Sequence, residues 1–149
     1  MKKLLWAVLA GMLMTNGCAS RQELCNNMIQ ERNAGKQGVT KVYPIPTKQA
    51  WEITEAVFRW EQTDEVEKHV KENYVITSTG MKMLAFGSVL GVWIEPADSE
   101  NTKVTVVMKR RVADDIFTSL NESTFFERFE QGMKILKAGK KLPVVAPAN

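Results

Sequence analysis

Few side chains in this 149-residue chain suit chemistry, and their spacing limits what that chemistry can be. His69 is the sole histidine, so a histidine-rich metal site is ruled out; zinc would need carboxylates or Cys25 from elsewhere. With Glu65, Glu67 and Lys68 beside it, His69 reads as a solvated strand or turn residue. Asp114 and Asp115 form a carboxylate pair, but adjacent side chains point apart, and a turn or helix start suits them better. Nothing near Cys25 in sequence suggests an activated thiolate. No G-x-S-x-G, P-loop or dinucleotide-binding glycine pattern occurs. The chain reads as non-enzymatic, with no cofactor and no metal.

Two stretches offer contacts rather than catalysis. Met81, Met83, Leu84 and Phe86 lie between Gly80 and Gly87, and leaving them all exposed would be costly. They either cap an open end of the core or form an adaptable contact surface. Lys109-Arg110-Arg111 is the densest basic run beyond the N-terminus. It suits lipid phosphates or an acidic partner; equally, it suits a solvated strand end that discourages edge aggregation.

The N-terminus carries an address. Lys2 and Lys3 precede an uninterrupted apolar or glycine run over 4–14, and small residues follow, which is the layout of a secretory signal. That run is too short to span a bilayer, which takes about 20 residues. The segment Thr15-Asn16-Gly17-Cys18 resembles a bacterial lipoprotein signal, in which the cysteine becomes the lipidated first residue. The resemblance implies a signal over 1–17 and a membrane anchor at Cys18. Gly17-Cys18-Ala19 also satisfies ordinary signal cleavage after Ala19, which would leave a soluble periplasmic protein. If Cys18 carries lipid, Cys25 is left as a free thiol or an intermolecular partner.

Removing Lys2 and Lys3 with the signal lowers the formal charge of +3 by two, to +1. Between Lys41 and Lys141 fifteen basic side chains face fifteen acidic ones, so no global steering of nucleic acid is expected.

The elements follow from pattern. Residues 18–39 are polar and rich in asparagine, with Gly35 and Gly38 at the end, and read as a tether; Leu24, Met28 and Ile29 would allow only a marginal helix. An edge strand with Val42, Tyr43 and Ile45 precedes a helix opened by Thr47, whose apolar face carries Ala50, Ile53, Val57 and Trp60. Residues 65–70 and 74–79 read as a hairpin. Residues 88–95 are near-continuously apolar, as in a central strand, and 102–111 return beside them. Thr124 and Glu127 form a capping box for a last helix with Phe125, Phe129, Met133 and Leu136 inward, stopping at Gly139. The expected architecture is one α+β domain over 40–141, an antiparallel sheet of four or five strands with two helices packed on one face. Residues 142–149 read as a flexible tail.

The lipoprotein-like start, Tyr43-Pro44-Ile45-Pro46 leading into Ala50-Trp51, and the GVWIEP and TKVTVVMKRR strands are together similar to small bacterial lipoproteins carrying an uncharacterised periplasmic α+β domain. That resemblance implies a compact domain on the periplasmic side of an envelope membrane and transfers no catalytic residue. Ala19 and Ser20 include no acidic inner-membrane retention signal of the kind such lipoproteins use, so the outer membrane is the expected location. The resulting expectation is a non-enzymatic, lipid-anchored envelope protein with a structural or protein-binding role. The alternative is an unanchored periplasmic small-ligand or lipid carrier, with a pocket lined by Trp51, Phe58, Trp60 or Trp93.

If the Gly80–Gly87 segment packs into the core, Met83→Asp costs several kcal/mol in thermal unfolding. Unchanged unfolding of that variant would assign the segment to a contact surface instead.

Overall fold

A computed structural model describes residues 20–36, 38–80, 87–112 and 120–148. The chain runs α1 (Arg21–Asn33), β1 (Val39–Tyr43), α2 (Thr47–Trp60), β2 (Glu65–His69), β3 (Tyr74–Thr79), β4 (Ser88–Pro96), β5 (Thr102–Arg110) and α3 (Glu122–Lys137). The strands form one antiparallel sheet in the order β1-β5-β4-β3-β2. This is the expected α+β architecture, with β1 at an edge and β4 in the centre.

Alternation along the strands divides the side chains between two faces. Val75, Leu90, Val92, Ile94, Val104 and Val106 pack with Ile53, Val57 and Phe58 of α2 and Phe125, Phe126 and Phe129 of α3. These are the two helices expected on one face. Gly132 of α3 lets α2 come close, since a Cβ there would lie 2.8 Å from the Ile53 methyl.

The opposite face carries Ile76, Val89, Trp93 and Val107, and α1 covers it with Leu24, Cys25 and Met28. The helix occupies most of the stretch expected to be a polar tether over 18–39. Its asparagines, Asn26, Asn27 and Asn33, are all exposed, so their weak helix propensity is set against a docked apolar side rather than against solvent. Gly35, which counted against a helix in the sequence, terminates it instead. At φ +67° it donates to Arg32 O while Lys36 N donates to Glu31 O, the paired bonds of a glycine-stopped C-terminus. Ser20 closes the other end, its hydroxyl accepting from Glu23 N at 3.2 Å. Gly91 of β4 makes room for the helix: a Cβ there would lie 2.8 Å from both the Met28 methyl and the Trp93 ring.

Two further details differ from expectation. α3 begins at Glu122, and its cap is Asn121, whose side chain accepts from Thr124 N at 2.9 Å; Thr124 lies inside the first turn. The segment 142–149, expected to be flexible, is tied to the helices as far as it is described. Leu142 and Ala146 pack on the core, and Pro143 O accepts from the Trp60 indole at 2.9 Å. A nearly buried indole N–H needs such an acceptor, and this stretch of chain supplies it.

Met28 is fully buried under α1. Met28→Ala is expected to lower stability by about 2–5 kcal/mol, read by denaturant unfolding. Under native conditions it should also speed labelling of the Cys25 thiol, and equal labelling rates in the two proteins would show that Met28 does not hold the helix down.

Candidate functional site

The sequence-derived candidates divide sharply. Cys18, Met81, Met83, Leu84, Phe86, Asp114 and Asp115 lie outside the described residues. Lys109, Arg110 and Arg111 sit at the end of β5, but they do not form one free basic patch. The Lys109 ammonium is ion-paired with Glu31 of α1. Arg110 stands opposite Ser88, and its Nε is buried without a hydrogen-bond partner among the described residues. Arg111 lies just past the strand, its backbone N–H donating to Gly87 O at 3.2 Å. Of the two uses that suit the basic run, a contact for phosphates or an acidic partner and a solvated strand end, neither describes its first member, whose ion pair to Glu31 helps to hold α1.

The aromatic residues considered for a carrier pocket are likewise divided. Trp51, Phe58 and Trp60 belong to the α2 side of the sheet and Trp93 to the α1 side. Tight packing accounts for Phe58, Trp60 and Trp93, each at most 6% exposed.

What the fold does assemble lies at the two ends of α1. At the N-terminal end the Arg21 guanidinium reaches β2, with Nη1 2.6 Å from Glu67 and Nε 3.3 Å from Glu65. His69 stacks on Tyr74 with ring centres 4.4 Å apart, and its Nε2 lies 3.7 Å from Glu67. The hydrogen bond from Arg21 holds the Glu67 carboxyl below the usual carboxylate range, against a smaller opposing effect of burial. Cys25 sits beneath, and burial pushes its thiol up despite the neighbouring guanidinium. A thiol held protonated among apolar neighbours is a packing group rather than a nucleophile. Among the described residues no group of three or more His, Cys, Asp or Glu side chains could hold a metal ion.

At the C-terminal end, a pocket of about 380 Å³ opens between α1, β1 and β5. Arg32, Gly35 and Lys36 come from the end of the helix, Gly38 and Thr40 from the start of β1, and Lys103 and Thr105 from β5. Antiparallel register places Thr40 directly opposite Thr105, and their hydroxyl oxygens are 2.9 Å apart. Glu95 of β4 holds two of the cations from the side, at 2.8 Å from Arg32 and 3.0 Å from Lys103. Arg32 also lies over the Trp93 ring, 5.6 Å from its centre, a cation–π contact. None of these residues stood out in the sequence. They are distant in the chain, and only the β1–β5 register and the docking of α1 bring them together.

The described helices include none long and apolar enough to cross a membrane. Set against models of known protein families and against curated protein sequences, the chain matches none.

The Arg21–Glu67 pair has a calculable dependence on pH. The folded Glu67 carboxyl titrates below its ordinary value of 4.5, so the pair stabilises fully above that value and weakens as pH falls through the depressed one. For side chains this accessible the contribution is about 0.2–1 kcal/mol. Glu67→Gln should therefore lower the unfolding midpoint at neutral pH, and the gap to wild type should close in acid. A gap independent of pH would assign the effect to packing.

Proposed function

We propose that this chain is a non-enzymatic, lipid-anchored protein of the bacterial envelope, attached through Cys18 and placed at the outer membrane on the periplasmic side. The observation that carries this reading is the spacing at the start of α1. The helix begins at Arg21, capped by Ser20, so only Ala19 and Ser20 separate Cys18 from a helix docked on the sheet. Lipid at Cys18 would then hold the whole domain close against the membrane surface. Acyl chains contribute roughly 0.8 kcal/mol per buried CH₂, so more than one chain makes a stable anchor.

A protein-binding or structural role fits the exposed surface. Val39 and Val42 along β1, and Val66 and Val70 at and just beyond β2, are each more than 40% exposed, and among the described residues both strands are sheet edges with no further strand paired to them. Free edges with apolar side chains suit pairing with another chain.

Cys18→Ala should move the protein from the membrane pellet to the soluble periplasmic fraction, and the native mature protein should carry the mass of an acylated Cys18. A variant that stays in the pellet, or a native chain starting at Ser20, would end the anchoring proposal.

A further inference from the structure

The pocket at the C-terminal end of α1 has walls suited to an anion. We propose that it binds a phosphate-bearing ligand, with Arg32, Lys36 and Lys103 as counter-charges and the Thr40–Thr105 hydroxyl pair as a neutral donor.

Charge comes first. Three cationic side chains line the cavity, and the carboxylate against them is Glu95, shared between Arg32 and Lys103. The surplus of two positive charges matches a phosphate monoester, which carries about −1.5 to −2 at neutral pH. The negative end of the α1 dipole, equivalent to about half a charge, reduces this surplus without cancelling it. Its last carbonyls are already occupied, Arg32 O by Gly35 N–H and Glu31 O by Lys36 N–H.

Hydrogen-bonding capacity is also left over. Arg32 spends one terminal nitrogen, Nη2, on Glu95, and its guanidinium carries a second terminal nitrogen able to donate. Lys36 is exposed. The Thr40 and Thr105 hydroxyls share one hydrogen bond, so one of the two O–H groups remains free to donate. Thr105 is 5% exposed and therefore fixed in place. The cavity is larger than a phosphate group alone, and its volume lies at the lower end of the range for small-molecule sites. The ligand is then an ester, either a lipid headgroup or a soluble phosphorylated compound. None of this depends on Cys18 being lipidated.

The test is a titration of the isotope-labelled full chain with inorganic phosphate at low ionic strength, followed by amide NMR. Saturable shifts confined to Gly35, Gly38, Thr40, Thr105 and their neighbours are expected, with chloride at equal ionic strength producing none. Lys36→Ala, at an exposed position, should leave the unfolding midpoint unchanged and weaken phosphate binding by up to about tenfold. Lys103→Ala should weaken it as well. Co-sedimentation with phosphatidylcholine vesicles containing phosphatidic acid separates the two sources. Vesicle binding that inorganic phosphate displaces and Lys36→Ala weakens assigns the site to a lipid headgroup. Local phosphate shifts without vesicle binding assign it to a soluble ester. Absence of saturation, shifts spread over lysines across the surface, or a Lys36→Ala titration like wild type would overturn the proposal.

Discussion

Strand β4 must be covered on both faces, and the rest of the molecule follows from that constraint. Leu90, Val92 and Ile94 point to one side and Val89 and Trp93 to the other, none more than 5% exposed. Burying one such aliphatic side chain is worth about 1.5–3 kcal/mol, so neither face could be left to water without a large loss. α2 and α3 cover the first face with the three phenylalanines of α3 and with Phe58 and the aliphatic stripe of α2. The second face falls to α1, because the two longer helices are already used.

α1 brings few apolar atoms to that task. Leu24, Cys25 and Met28 are its buried residues, and the seat is deepened only because Gly91 carries no side chain. Ion pairs around the rim add to this contact: Arg21 to β2, Arg32 to β4, and Glu31 to Lys109 of β5. Partly exposed pairs contribute little stability each, but three on three different strands favour the observed direction and register of the helix on the sheet. Charge thus helps to specify what a small apolar contact alone would leave loosely determined.

The same placement organises the surface. Thirteen helical residues span about 20 Å, so the Cys18 end of α1 and the cationic pocket stand well apart. The edge strands β1 and β2 lie at opposite sides of the sheet.

Much of the fold was legible in the chain because local pattern and tertiary burial agree there. The stripes of α2 and α3 repeat at helical spacing, β5 alternates, and the unbroken apolar run of β4 places it centrally. That run also implied a second cover, which the polar composition of 18–39 concealed. Asparagine and glycine content measures a helix in isolation, whereas α1 is held by the sheet beneath it. The tail was misjudged for a related reason, since the acceptor it offers Trp60 is a backbone carbonyl that no side-chain pattern announces. The signal-like start, the near-neutral charge and most of the strands and helices can be read from the chain alone, because they are properties of composition and of residues close together. The place of α1, the pairing of Lys109 with Glu31, and the meeting of Arg32, Lys36 and Lys103 around two threonines emerge with the folded chain. Those contacts join residues up to 78 positions apart (Glu31 to Lys109, 109 − 31), and strand register and helix docking, not local composition, bring them within reach.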